Sequence, residues 1–180
     1  MAREIAEYNG NNTKAGLTFR GKLNARVTMN SNVKDWEGNK TLDGGGWAKS
    51  DTREWLNGED FFGRLPKELC DGIKEVEKFS DNGYYDYLDG APELTRTEDK
   101  IFIASAEELN TQFKSYTMEG QGAPYILFTD AASRKTDDLY WTRSTGGNYG
   151  IHSFCVIDLD GRITTIGGGN AGGLVIYFCI

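Results

Sequence analysis

The chain has 180 residues with 12% aromatics and 23 glycines, which describes one compact, turn-rich domain able to bury a core rather than a disordered chain. Its net charge of -7, with no dense cluster of lysine and arginine, excludes a nucleic-acid backbone or an anionic membrane surface as the main partner. Cys70, Cys155 and Cys179 lack CxxC spacing and read as reduced, mostly buried thiols, although Cys155 and Cys179 are placed to meet if their strands are neighbours.

Residues 1–12 read either as a mobile tail or as structure. They include Arg3, Glu4 and Glu7 and have no apolar stretch of the signal-peptide kind. The longest apolar run, 174–180, is too short to cross a membrane. Any display on a virion or cell surface must then use another route, and localisation stays open. Residues 17–19 and 25–29 are expected as two short strands, with turns around Asn11-Asn12 and 30–32. Trp36 looks like an aromatic anchored in a turn.

A denser block follows at 44–57. Ser50 or Asp51 caps a helix, and Asp51 with Glu54 has the form of a reciprocal capping box. Pro66 suits the first turn of a second helix over 66–77, with Leu65, Leu69, Ile73 and Val76 at helical spacing and Gly72 as a weak point. Residues 80–96 carry Tyr84, Tyr85 and Tyr87 among turn formers and read as a long surface hairpin or loop. The stretch 99–105 is a short buried strand, and Ser105 with Glu108 is a capping box opening a helix to about Phe113. A further short helix over 125–133 and a strand over 139–144 complete an α+β domain with helices first and β-structure last.

The final segment, 145–180, alternates β-branched or aromatic residues with small ones and reads as strands over 151–158, 162–166 and 174–180. The first turn contains Gly161, which can take the positive φ of a tight hairpin; the second is the glycine-rich stretch 167–173. Gln, Glu, Lys, Met and Trp occur through the first 144 residues, and none follows Trp141. A glycine-rich β segment is poor in several of these anyway. The genetic code offers a sharper reading, because randomising the adenines of AAC or AAT codons reaches every residue type in this segment and cannot reach those five.

The motifs GGGWAKSDTREWLN, LPKELCDGIKEV, TEDKIFIASAEEL and YWTRS, with the closing phenylalanine-cysteine-isoleucine, occur in that order over 44–180. Together they resemble an uncharacterised domain family of gut bacteria and their phages, similar to C-type lectin-like proteins. Some of its members are the variable proteins of diversity-generating retroelements. The resemblance implies a C-type lectin-like fold, short helices bracing a small, mostly antiparallel sheet whose C-terminal strands and loops form the binding face. It makes Trp47, Ser50, Arg53, Trp55, Leu56, Asp99, Ser105, Glu108, Trp141, Arg143 and Ser144 scaffold. Arg143, beside a buried tryptophan, then needs a carboxylate or carbonyl partners. The exposed, ligand-binding candidates are Asn148, Tyr149, Ile151, His152, Val156, Asp158, Arg162, Thr164, Ile166 and Asn170. Residues two apart in a strand share a face, so Thr164 with Ile166 and Val156 with Asp158 are each expected to contribute to a patch. One departure from the family pattern is Val175-Ile176-Tyr177, where a valine- or alanine-proline pair is usual before the closing block.

Catalytic and metal motifs are weak. His152 is the only histidine, so a histidine-based metal site would need carboxylates for its other ligands, and a serine-histidine-aspartate triad would have to use this single loop residue; a surface contact or the product of a varied codon is the better reading of it. Asp158-Leu159-Asp160-Gly161 resembles the head of a calcium loop without its distal glutamate and is better explained as a hairpin turn. The broader fold includes formylglycine-generating enzymes, which would require Cys155 and Cys179 as a reactive pair. The expectation is therefore one domain over 1–180 with a variable binding region at 145–180. It is a non-enzymatic module without cofactor or metal that meets a protein or surface ligand; a fixed-specificity adhesion or phage structural domain is the alternative.

Overall fold

The computed structural model describes residues 3–8, 14–30, 46–81, 94–111, 120–146 and 153–180, with side chains from residue 21 onward. The chain begins with strands, not helices. Strand β1 (Arg3–Tyr8) pairs antiparallel with β2 (Lys14–Thr28), so part of 1–12 belongs to the sheet. Where two short strands were expected, β2 is one strand of 15 residues. It runs antiparallel to β9 (Ala171–Cys179), and its register shifts between Leu23 and Arg26. That irregularity falls at the start of the second apolar stretch, and the chain continues through it as one strand instead of turning.

After a single 3-10 turn at Trp47–Lys49 comes helix α1 (Asp51–Asn57). Ser50 is its cap, accepting from the Arg53 N–H at 3.2 Å. The box headed by Asp51 is therefore not formed; Asp51 and Glu54 instead lie in the first turn, where the helix dipole favours acid. Helix α2 (Lys67–Gly72) stops well short of Glu77. Its continuation is taken by the sheet, since the Lys74 N–H donates to the Cys179 carbonyl at 2.9 Å and Val76 opens strand β3 (Val76–Asp81). β3 pairs antiparallel with β4 (Leu94–Asp99), which is the expected hairpin; Tyr84, Tyr85 and Tyr87, like Trp36, lie outside the described residues.

Strand β5 (Phe102–Ile103) adds to β9. Ser105 and Glu108 exchange the hydrogen bonds of a capping box, but only a turn follows, and Asn110 leaves it with φ 52°. A separate box between Asp130 and Ser133 starts the four-residue helix α3 (Ala131–Arg134), shorter and later than expected over 125–133. β6 (Tyr140–Thr145), β7 (Ser153–Ile157) and β8 (Ile163–Gly167) complete the large sheet.

That sheet runs β1-β2-β9-β6-β7-β8, with β5 on β9, and all its pairings are antiparallel except β6 with β9. The architecture is mixed α+β, mostly sheet with a few short helices. The core is aromatic: Trp47, Trp141, Tyr140, Tyr177, Phe102, Phe128 and Phe154 are all fully enclosed. Tyr177 lies between Phe102 and Tyr125 at centroid distances of 5.9 and 5.6 Å, and Trp141 meets Phe154 edge-on at 6.2 Å. The second glycine turn is shorter than 167–173, because Gly172 and Gly173 are strand residues of β9. A Cβ on Gly172 would lie 2.6 Å from Trp141 Nε1, and one on Gly173 would lie 2.8 Å from the Leu139 carbonyl oxygen. Close approach, more than turning, requires these glycines.

Candidate ligand-binding site

Two buried polar clusters fix the frame on which any site is carried. In the first, Asp99 accepts from Trp47 Nε1 at 2.9 Å, from Thr97 at 2.8 Å and from Arg53 Nε at 2.6 Å. Asn57 Oδ1 receives the N–H groups of Lys100 and Ile101, fastening α1 to the bend between β4 and β5. In the second, Arg143 is fully buried and donates to the carbonyls of Phe79 at 3.1 Å, Ile103 at 2.9 Å and Gln121, and to the Glu108 carboxylate. Glu108 also takes Lys78 Nζ at 3.3 Å, and that ammonium stands 3.9 Å over the Phe102 ring. Asp81 accepts from the Thr145 hydroxyl, the Thr145 N–H and Gln121 Nε2. The expected need of Arg143 for a carboxylate and carbonyls is met in full, and the scaffold residues of separate motifs touch one another. Lys78, Asp81 and Gln121 are partners that the sequence did not suggest; a lone charge in a strand or loop has no periodicity to reveal that it will be buried.

These clusters leave β6 and most of β7 and β9 buried on both faces. Val156 is accordingly a correction: it is fully buried in the core, beside Trp141 in the ladder, and offers no side chain to a partner. The expected Val156–Asp158 patch fails with it. Asn148, Tyr149, Ile151 and His152 lie outside the described residues. The remaining candidates collect on one rim. Thr164 and Ile166 lie on β8, at the edge of the sheet, opposite Val156 and Phe154; they share a face and are half-buried. Arg162 and Asn170 are exposed in the turns on either side, and Asp158 is half-buried.

Hydrogen bonds close the turns at both ends of the rim. Asp158 Oδ1 accepts the N–H groups of Asp160 and Arg162, each at 2.9 Å, and Gly161 follows with φ 76°. The expected hairpin turn is thus what the calcium-like motif forms; among the described residues no group of three or more His, Cys, Asp or Glu side chains stands together. Arg134, missed in the sequence, holds this turn from beneath, donating to the Gly161 carbonyl at 3.0 Å and to the carbonyls of Leu109 and Asn110 at 3.2 Å. At the other end the Asn170 N–H and Nδ2 both reach the Gly167 carbonyl, and the Asn30 N–H reaches the Gly168 carbonyl at 3.2 Å.

The thiols are poorly placed for joint chemistry. None is in a disulfide, and β6 lies between β7 with Cys155 and β9 with Cys179, so those two are not on neighbouring strands. Burial and then the nearby Asp81 charge push the Cys155 thiol far above its ordinary range, the reverse of what a thiolate nucleophile needs. No helix among the described residues is long and apolar enough to cross a membrane.

A sheet-dominated α+β domain, held by two buried polar clusters and presenting one half-open rim, is the class these features define. Residues 24–174 match a family described as a domain of unknown function (DUF6273), and the chain belongs to it. No curated protein matches the chain, and neither does any solved structure.

Proposed function

We propose that the protein is a non-enzymatic ligand-binding domain on a C-type lectin-like scaffold, of the kind diversified by retroelements, and that the β8 rim meets a protein or surface ligand. The contrast between β8 and its neighbours carries this reading. Arg162, Thr164, Ile166 and Asn170 are partly or fully open, while β6 and the interior of β7 are closed on both sides. Arg162, Thr164 and Asn170 can change at small cost to stability, because ladder hydrogen bonds and the polar clusters hold the backbone, whereas Ile166 also packs against the core and is the more constrained position. The absence of Gln, Glu, Lys, Met and Trp after Trp141 supports the same reading, as mutation at the adenines of AAC or AAT codons cannot produce them.

Asp158 favours the competing reading of a fixed-specificity adhesion or phage structural domain. Its carboxylate accepts two N–H groups within the hairpin, a role that a randomised codon would lose. Sequencing the gene and its neighbourhood across clonal lineages separates the two. Diversification predicts a nearby reverse transcriptase, a template repeat differing at adenines, and changes at Tyr149, His152, Thr164 and Ile166 with Val156 constant. Identical codons at those four positions in every lineage would overturn it.

A further inference from the structure

We infer that the edge of β8, unpaired among the described residues, pairs with the same edge of a second copy of this chain, in antiparallel register about Thr165. The inference uses main-chain groups and does not depend on diversification of the rim.

The direction of those groups follows from the ladder. The Arg162 carbonyl faces β7, where it accepts from the Asp158 N–H at 2.9 Å. The Ser153 carbonyl faces β6, accepting from the Gly146 N–H at 2.7 Å, so the main-chain groups of its neighbour Phe154 face β8. Backbone groups alternate along a strand, and Thr164 and Ile166, opposite Val156 and Phe154, therefore spend theirs on β7. Ile163 and Thr165 turn their N–H and C=O groups away from the sheet, as does the N–H of Gly167. Among the described residues β8 is terminal in the sheet, and Ile163 and Thr165 have no main-chain partner on that side.

Exposed edges in natural sheets are normally blunted by charge, proline or a bulge. The sheet's other edge, β1, has Arg3, Glu4 and Glu7 in its sequence. β8 has none of these devices: its ITTIG sequence is uncharged, its pairing with β7 is regular, and no charged residue follows Arg162 to the end of the sequence. A strand of this kind is built to be covered.

Self-pairing of this uncharged edge brings no like charges together, and charge sets its direction. With Thr165 opposite its mate, antiparallel pairing sets Ile163 against Gly167, Arg162 against Gly168 and Asp160 against Asn170, so no like charges meet. A parallel arrangement would set Arg162 beside Arg162 and Asp160 beside Asp160. The antiparallel pair is closed and two-fold, whereas β8 on β1 would propagate as an open filament. Thr165 and its mate form a hydrogen-bonded pair, flanked on each side by Ile163 with Gly167.

The full-length chain tests this by sedimentation over a concentration series together with amide exchange. We expect a monomer–dimer equilibrium, and slower exchange of the Ile163 and Thr165 amides as dimer forms. Thr165→Pro removes an N–H that β7 does not use, and Thr165→Lys places a charge against its own mate. Each should shift the dimer constant at least tenfold towards monomer while thermal unfolding of the monomer is retained. A chain that stays monomeric at every concentration would overturn the inference. So would a dimer in which exchange at Ile163 and Thr165 is independent of concentration, a result that needs no substituted protein.

Discussion

Gly172 lies under the indole of Trp141, so close that a Cβ would stand 2.6 Å from Nε1 and 2.8 Å from Cε2. The same indole nitrogen donates to the Val27 carbonyl at 2.8 Å, which ties β6 to β2 across β9. The ring cannot retreat from a new methyl group without giving up that bond. Gly172→Ala should therefore destabilise the fold by about 1–3 kcal/mol, the usual cost of overpacking. Thermal unfolding of this variant beside Gly167→Ala, where the nearest atom is the movable Asn170 side chain at 3.2 Å, checks the assignment. Equal losses at the two glycines would contradict it.

Arg143 joins β6 to elements far apart in sequence, since its acceptors are Phe79, Ile103, Glu108 and Gln121. Arg143→Met would leave these buried acceptors short of a donor, and a loss of about 3–5 kcal/mol is expected, as for other broken buried pairs. Arg143→Lys should recover less than half of it, because one ammonium cannot span acceptors on diverging elements. Urea denaturation of the two variants measures both. A lysine variant close to the parent in stability would mean that charge alone, not the planar fork, holds the cluster.

Much of this frame is legible in the sequence because it rests on local rules. Ser50 and Ser105 announce their caps, Gly161 its positive φ, and Arg143 its need for acceptors. What is hidden depends on contacts distant along the chain. α2 ends early because Lys74 finds Cys179 more than a hundred residues away, and no helical spacing of Ile73 and Val76 reveals that competition. Val156 has the period-two position of an exposed residue, yet its strand is covered on both faces, so alternation loses its meaning there. Gly172 and Gly173 read as a turn because glycine required for close packing looks the same as glycine required for bending.

On the rim, the structure separates positions that the sequence treats alike. Arg162 and Asn170 are exposed, and Thr164 is half-buried at a sheet edge. Arg162→Asn and Thr164→Ser should each stay within about 0.5 kcal/mol of the parent. Asp158→Ala differs, because the N–H groups of Asp160 and Arg162 lose their acceptor, and about 1 kcal/mol of hairpin stability should go with it. Asp158→Asn, which keeps an acceptor oxygen, should restore most of that. If Asp158→Ala is as silent as Thr164→Ser, the carboxylate does not set the turn, and the objection it raises to diversification disappears.

Cys155 gives the fold a dependence on alkaline pH. Its Sγ donates to the Thr145 carbonyl at 3.1 Å, and burial followed by the Asp81 charge raises its pKa well above the ordinary thiol value of 9.0. Below that value the thiol is protonated in folded and unfolded chains alike, and its contribution is intact. As pH rises past 9.0, the unfolded chain releases the proton while the native one keeps it, so unfolding is favoured. The loss approaches about 1.4 kcal/mol for each further pH unit. Urea midpoints measured from pH 7 to pH 10 should fall more steeply for the parent than for Cys155→Ala, which shares every other side chain with it. Parallel profiles would show that the thiol reaches solvent in the native state, and Cys155 would then have to be placed outside the closed interior of β7.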